Sequence, residues 1–342
     1  MRFDLEKKRA IIQYLLEKIE SGEPSVNRCV SQTIGLSPNT VNNYILELQE
    51  QGVIRKVKRG KYELVKTHHR FHLQRSKGDL DSDTYAYDHF LKPLVESYAT
   101  NVVNIWAYAF SEMVNNVMDH SGAENLFIHV EQDYLHTKVI LLDDGIGIFR
   151  KIKEHFQLES LEEAICELFK GKLTTDSANH SGEGIFFSSR MMDSFFILSD
   201  QKIFTNNKYD YSRTFDAPES AVSGTCVMMS LSNFSNKKSS DIFDLYADVD
   251  GGFTRTRIPL KNIFETAPVS RSQAKRICHR LDGFEEVILD FEGLEWMGQG
   301  FAHQIFVLFQ REHPDVKLIC EHMSEGVEKM YRHVRHSLAD PL

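Results

Sequence analysis

The sequence predicts a multidomain chain of mixed α+β and α/β architecture, and three observations lead there. Its 342 residues exceed the ~100–150 of the commonest single domain, so two or three hydrophobic cores are expected. Apolar residues make up 42% and charged ones 26%, the balance of a globular chain rather than a disordered one. The apolar pattern also changes period along the chain, passing between helical spacing and strand alternation in three separate blocks.

Composition excludes several classes. No run approaches the ~18 consecutive apolar residues of a membrane helix, so no membrane partner is expected. The opening MRFDLEKKRA has charges with no apolar stretch behind them, unlike a secretory signal. Five cysteines, Cys29, Cys166, Cys226, Cys278 and Cys320, are scattered and form no C-x-x-C pair. That argues against a disulfide framework and a zinc ribbon, and the expectation is a soluble cytoplasmic protein. Net charge is −9, yet residues 1–66 carry 12 Lys+Arg against 8 Asp+Glu, leaving 28 against 41 elsewhere. A head of +4 on a body of −13 points only the head at a polyanion.

The head reads as three helices and a β-hairpin. Ile11, Ile12, Leu15, Leu16 and Ile19 recur at helical spacing until Ser21-Gly22. A short second helix follows Pro24 and ends near Ile34-Gly35. Ser37 can cap the third, with Pro38 in its first turn. That helix buries Val41, Ile45 and Leu48 and turns Asn39, Thr40, Asn43 and Tyr44 outward. Alternation around Gly60, with Lys58 and Arg59 at the turn, predicts a basic hairpin. This order resembles a winged helix-turn-helix. The resemblance implies DNA binding through residues 1–66, small polar side chains on base edges and wing cations on phosphates. Winged helices also serve as protein-interaction modules, and Asn and Thr suit a merely solvated helix face equally.

Residues 67–82 lack periodicity and read as a linker. His68, His69 and His72 invite a metal reading, since His68 and His72 are four apart, but no acid or thiol nearby completes a shell.

The strongest signal lies in residues 83–235. A helix expected over 99–120 places Glu112, Asn115, Asn116, Asp119 and His120 on one face. A buried strand, KVILL, then ends in Asp143-Asp144-Gly145-Ile146-Gly147. His180-Ser181-Gly182-Glu183-Gly184 follows at a helix start, and Gly224-Thr225 precedes a further strand. Each part suits a nucleotide. Asp143 can accept from an adenine amino group, while Gly145 and Gly147 let backbone lie against ring and ribose. Gly182 and Gly184 expose N–H groups to phosphates. Asn116 offers a neutral oxygen to Mg²⁺, Glu112 can deprotonate an attacking water or hydroxyl, and His120 can reach phosphate. No G-x-x-x-x-G-K-[ST] occurs, and the Gly145/Gly147 pair lacks a dinucleotide site's third glycine.

In this order the motifs resemble the Bergerat-fold (GHKL) ATPases, with an N box at 112–116, a G1 box at 143–147 and a G2 box at 182–184. Within that superfamily the span SEMVNNVMDHSG most resembles the anti-sigma-factor serine kinases. The resemblance implies an α/β sandwich, ATP with Mg²⁺, and a lid between the glycine motifs. There Lys172, Thr174 or Thr175 would meet phosphate, with Thr225 also at the site. Glu183 departs from the pattern, putting an acid where many relatives carry an apolar residue.

Past a polar seam at 236–240, residues 251–342 read as another domain. A helix is expected over 272–281, strands over 286–291 and 316–320, and an amphipathic helix over 300–311, which suggests a small α/β unit. The run LDFEGLEWMGQGFAHQIF resembles a STAS-type domain, more closely a STAS-like domain of unknown function found behind such ATPases. In the antagonists of this type a serine accepts phosphate just before the helix-opening glycine. Gly298-Gln299-Gly300 offers no hydroxyl there. The resemblance implies a protein partner for this domain or docking in cis, and a homodimer is the commonest soluble assembly. The expected function is an ATP-binding, slowly hydrolysing regulator that couples nucleotide state to DNA or partner binding. The alternative is a serine kinase acting on a separate partner.

Overall fold

The computed structural model describes residues 5–173, 182–206, 224–248, 252–264 and 266–336. In the head, α1 (Leu5–Glu20), α2 (Val26–Ile34) and α3 (Pro38–Glu50) follow the apolar spacing. Ser37 caps α3, its Oγ accepting from Thr40 N at 3.1 Å. Leu15, Leu16 and Ile19 of α1 close on Val41, Ile45 and Leu48 of α3. Strands β1 (Ile54–Lys58) and β2 (Lys61–Leu64) form an antiparallel hairpin in which only Ile54 is buried.

The stretch 67–82 is not a linker. Strand β3 (Thr67–Gln74) pairs antiparallel with β4 (Asn125–Gln132) in unbroken register from Thr67↔Gln132 to Gln74↔Asn125. It escaped the apolar pattern because it lies at the sheet edge. His68, Arg70 and His72 face outward, and only Phe71 and Leu73 are apolar inward residues. Charged and polar residues are common on such edges, where they discourage pairing with other chains. Two residues, Val65 and Lys66, separate this strand from the hairpin.

Strands β3, β4, β5 (His136–Asp143), β6 (Ser194–Ser199), β7 (Lys202–Thr205) and β8 (Thr225–Ser232) form one antiparallel sheet in the order β3-β4-β5-β8-β6-β7. Val139 and Leu141 of β5 pair with Met229 and Val227 of β8, and this face is buried under helices at 83–95, Thr100–Asn115 and Gly184–Met191. The helix expected over 99–120 is α-helical for Thr100–Asn115, then widens into a π-helical turn, Asn116–Ser121. Among the described residues no helix is long and apolar enough to cross a membrane.

The C-terminal unit holds a parallel sheet, β9 (Arg255–Pro259), β10 (Glu286–Asp290) and β11 (Lys317–Glu321), in the order β11-β10-β9. Its helices include Arg271–Cys278, Gln299–His303 with its continuation to Glu312, and Glu325–His336. Strand β9 was not expected, because its only buried side chains before the closing proline are Thr256 and Ile258, set between three arginine or proline positions.

The polar seam does not separate two cores. Residues Ser239–Tyr246 are helical, and Phe243 and Tyr246 pack against one continuous apolar cluster that spans both units. Phe253 stands 4.6 Å from Phe186, 5.2 Å from Phe187 and 5.4 Å from Phe284 between ring centres. The half-buried Arg190 rivets the same seam. Its guanidinium lies 3.3 Å from the Phe186 ring centre and donates to the Arg257 carbonyl at 3.1 Å. Truncating Phe253 to alanine should therefore cost about 3–5 kcal/mol, with the whole body melting in a single shifted calorimetric transition. Two resolved transitions, one of them unmoved, would refute a shared core.

Candidate functional site

A cavity of about 240 Å³ opens between the ends of β5 and β8 and the helical layer. Strand alternation points Asp143 inward with Val139 and Leu141, so a carboxylate is carried into the interior at the strand's last residue, with 4% exposure. Its Oδ1 accepts from Gly145 N at 2.8 Å and Thr225 N at 3.3 Å. Burial pushes its pKa above the ordinary 3.8, and the two backbone N–H groups only partly offset this. The Thr225 hydroxyl in turn accepts from Ile148 N at 3.0 Å, tying the sheet end to the helix Ile148–His155. Gly147 adopts φ +86, and a Cβ there would meet Ser199 Oγ at 2.8 Å. At Gly145 a Cβ would meet the Ser121 carbonyl at 2.5 Å.

The opposite wall comes from the long helix. Glu112, Asn116 and His120 all line the cavity, on the shared face that their spacing dictates. The Glu112 carboxylate lies directly over the Gly184 backbone, where any Cβ would overlap it. One turn earlier, burial drives the Tyr108 phenol well above its ordinary range, with Glu112 and Glu183 adding to the rise. Gly184 opens the helix Gly184–Met191, and Gly182, whose carbonyl accepts from Leu173 N at 2.9 Å, also lines the cavity.

Lys172 departs from expectation. Gly171 and Leu173 line the cavity, but Lys172 does not. Its Nζ donates to the Gly283 carbonyl at 2.8 Å and lies 4.7 Å from the Phe284 ring centre. The left-handed backbone at Lys172, φ +52, directs the side chain toward the C-terminal unit. Thr174 and Thr175 lie outside the described residues. Among the described residues, the lysine that lines the cavity is Lys151, whose Nζ donates to the His120 carbonyl at 2.6 Å. Burial lowers its pKa, with Asp119 opposing. Its signal was available, as the first cation on the helix that follows Gly147 to face back toward the long helix.

On the head, Asn39 and Asn43 are exposed on α3, and Lys58 and Arg59 are exposed at the hairpin turn. Thr40 and Tyr44 are half-buried rather than fully outward. The Thr40 hydroxyl is engaged with Ser37 Oγ at 2.8 Å, and the Lys8 ammonium stands 5.8 Å from the Tyr44 ring centre. His68 and His72 part company along β3. His68 meets His129 at 3.2 Å, while His72 stacks on Phe127 at 4.3 Å.

Among the described residues, two other groups have donors within 4.8 Å of one another, Glu20 with Asp133 and His136, and Asp290 with Glu292 and His322. In the second, Asp290 is already engaged by Arg257 at 2.8 Å and by His322 at 2.9 Å.

The turn before the helix Gln299–His303 is tightly closed. A Cβ at Gly298 would lie 2.6 Å from both Cα and O of Val269. Residues 273–328, which include this turn, match the family model described as a STAS-like domain of unknown function (DUF4325). The C-terminal unit is STAS-like. No curated protein matches the chain.

The raised pKa of Asp143 gives a pH signature. A carboxyl whose folded pKa exceeds its unfolded value favours the fold while protonated, and that contribution is lost as pH rises through the folded value. Asp143→Asn should therefore melt with the parent below the ordinary 3.8 and melt higher than the parent at neutral pH. Thermal scans across that range check it, and a variant less stable at neutral pH would contradict it.

Proposed function

We propose that the chain binds Mg-ATP in this cavity and uses nucleotide occupancy to set DNA or partner binding. The observation that carries the reading is convergence. Glu112, Asn116 and His120 meet Asp143, Gly147, Gly182, Gly184 and Thr225 around one cavity, from four separate parts of the sequence. A single antiparallel sheet under one helical layer, with the cavity between them, supports a Bergerat-type sandwich. Three helices followed by an exposed basic hairpin support a winged helix-turn-helix.

The donor set fits the ligand. The buried Asp143 carboxylate suits an adenine amino group, and Gly145 and Gly147 are held where side chains have no room. The start of the helix Gly184–Met191 offers N–H groups to phosphate. Asn116 would hold Mg²⁺, which would supply positive charge to offset that of the phosphates. Glu112 then accepts the proton of an attacking water as that water's oxygen bonds to the γ-phosphorus and the bridging bond breaks, releasing ADP and phosphate. Hydrolysis is expected to be slow.

Transmission follows from packing. The cavity lies at one end of β5 and β8. At the other end the head core closes on Leu135, Tyr134 and Phe234. Nucleotide alters DNA affinity only as far as it favours one arrangement of these parts over another. A serine kinase acting on a separate partner remains the second reading. The closed turn at Gly298 disfavours phosphate transfer to the chain's own STAS-like unit.

The deciding experiment follows γ-labelled ATP with Mg²⁺. Parent protein should release free phosphate, Glu112→Ala should bind ATP but release phosphate about 10²–10⁴-fold more slowly, and Asn116→Ala should lose Mg-dependent binding. Label held covalently on protein would favour the kinase, and undiminished binding by Asn116→Ala would discard the metal role. For the head, replacing Lys58 and Arg59 by alanine should weaken DNA binding uniformly. The slope of log K against log salt should become shallower by about 2, since each phosphate left unneutralised removes roughly 0.9 from it. An unchanged slope would favour a protein-interaction role.

A further inference from the structure

The cavity wall formed by Gly171 and Leu173 is gripped from behind by the STAS-like unit. Lys170, just before it, donates to Glu167 Oε1 at 2.6 Å and to the carbonyls of Arg276 and His279 at 2.8 and 2.6 Å. Arg280 donates to Glu167 Oε2 at 3.1 Å and, through its second amino group, to the Lys172 carbonyl at 2.7 Å. Lys172 reciprocates through its Nζ, which donates to Gly283 O at 2.8 Å. The two segments therefore hold each other mutually, side chain to backbone in both directions.

Both gripping residues are strained. Lys172 has φ +52 and Arg280 φ +58, left-handed values that residues with long side chains rarely adopt. Such conformations persist where the surroundings over-determine them, and here Arg280 bonds the Lys172 carbonyl while Lys172 bonds Gly283, three residues beyond Arg280. The Lys172 ammonium is also drawn into an aromatic setting, 4.7 Å from the Phe284 ring centre and 5.7 Å from that of Phe253. Burial there lowers its pKa, while Glu183, Glu285 and Asp248 work in the other direction. Inside the cavity the carboxylates Glu112 and Asp143 face any incoming polyanion, and the lining cation Lys151 is bonded to the His120 carbonyl. Lys172 is a cation one residue from two lining positions, turned the other way.

We propose that Lys172 and Arg280 form an autoinhibitory latch, in which the STAS-like unit withholds the Lys172 ammonium from the cavity until a nucleotide phosphate draws it in. The inference rests on the nucleotide reading of the cavity and adds a partner to it. Phosphate capture of Lys172 breaks its bond to Gly283, removes the reason for left-handed backbone on both sides, and frees the loop 279–284 of the STAS-like unit. Nucleotide and C-terminal loop thus compete for one ammonium, and by linkage each weakens the other's hold. Arg280 acts as a positioning residue and does not touch the ligand.

The test compares ATP with adenosine, which shares the base and ribose but carries no phosphate, on the full chain. Arg280→Asn removes the guanidinium and keeps a residue that tolerates left-handed backbone. It should tighten ATP binding about tenfold, or ~1.4 kcal/mol, and leave adenosine affinity unchanged. Adding Lys172→Ala should cancel that gain. ATP affinity that is unchanged or weaker in Arg280→Asn overturns the latch, as does a parallel gain for adenosine. If neither ligand binds the parent or the variants, the nucleotide reading itself falls, and amide hydrogen exchange on the unliganded chain decides the latch. Arg280→Asn should then speed exchange at 170–173 and Lys172→Ala should speed it at 279–284. Unchanged protection in the opposite segment overturns it.

Discussion

A lysine ammonium at 1% exposure needs all three of its donors met, and Lys170 meets them with Glu167 and the carbonyls of Arg276 and His279. Glu167, at 2% exposure, is held ionised below its ordinary range despite its burial, mainly by Lys170, with His279 and Arg280 adding to this. Such a pair contributes little net stability by itself, but losing one partner strands a charge in the interior, typically at a cost of ~3–5 kcal/mol. It therefore fixes registry. The end of the helix Leu161–Lys170 has one permitted position against the helix Arg271–Cys278. The Thr256 hydroxyl bonded to the Lys170 carbonyl at 2.7 Å sets β9 from the same point. Leu168 and Gly171, on either side of Lys170, line the cavity, so the position of this wall is fixed by groups that belong to the STAS-like unit.

The candidate site shows the opposite choice. Asp143 sits in a buried position that raises its pKa, accepting two backbone N–H bonds that do not fully offset desolvation. A core built for stability alone would place an apolar residue at that strand end, as it does at Val139 and Leu141. A destabilised carboxylate in a cavity is the pattern expected where a group is kept for binding or chemistry.

Much of this was legible from local patterns. The head helices, β5, β8 and the face shared by Glu112, Asn116 and His120 follow from spacing alone, because each element buries one side. What escaped lacked a local signal. Strand β3 presents His68, Arg70 and His72 to solvent at a sheet edge, so its alternation is nearly invisible, and β9 is masked in the same way by Arg255 and Arg257. The direction of Lys172 depends on a left-handed backbone at a residue that rarely adopts it, held by Arg280 more than a hundred positions along the chain. The fusion of two expected cores rests on Phe186, Phe187, Phe253 and Phe284 meeting across the fold, which apolar periodicity cannot report.

The strand order carries a consequence for how the chain reaches this state. Strands β4 and β5 form one hairpin and β6 and β7 another, each from neighbouring segments, with β3 joining β4 across the intervening helices, whereas β8 is the last of the sheet's strands to be made and inserts between β5 and β6. Until it arrives, both sub-sheets expose an unpaired inner edge flanked by apolar residues such as Leu141 and Ile197, the kind of edge that recruits other chains. The sheet closes at its centre rather than at its rim. Closure waits on a long-range pairing, which slows folding, and the centre of this sheet is its last part to close during synthesis.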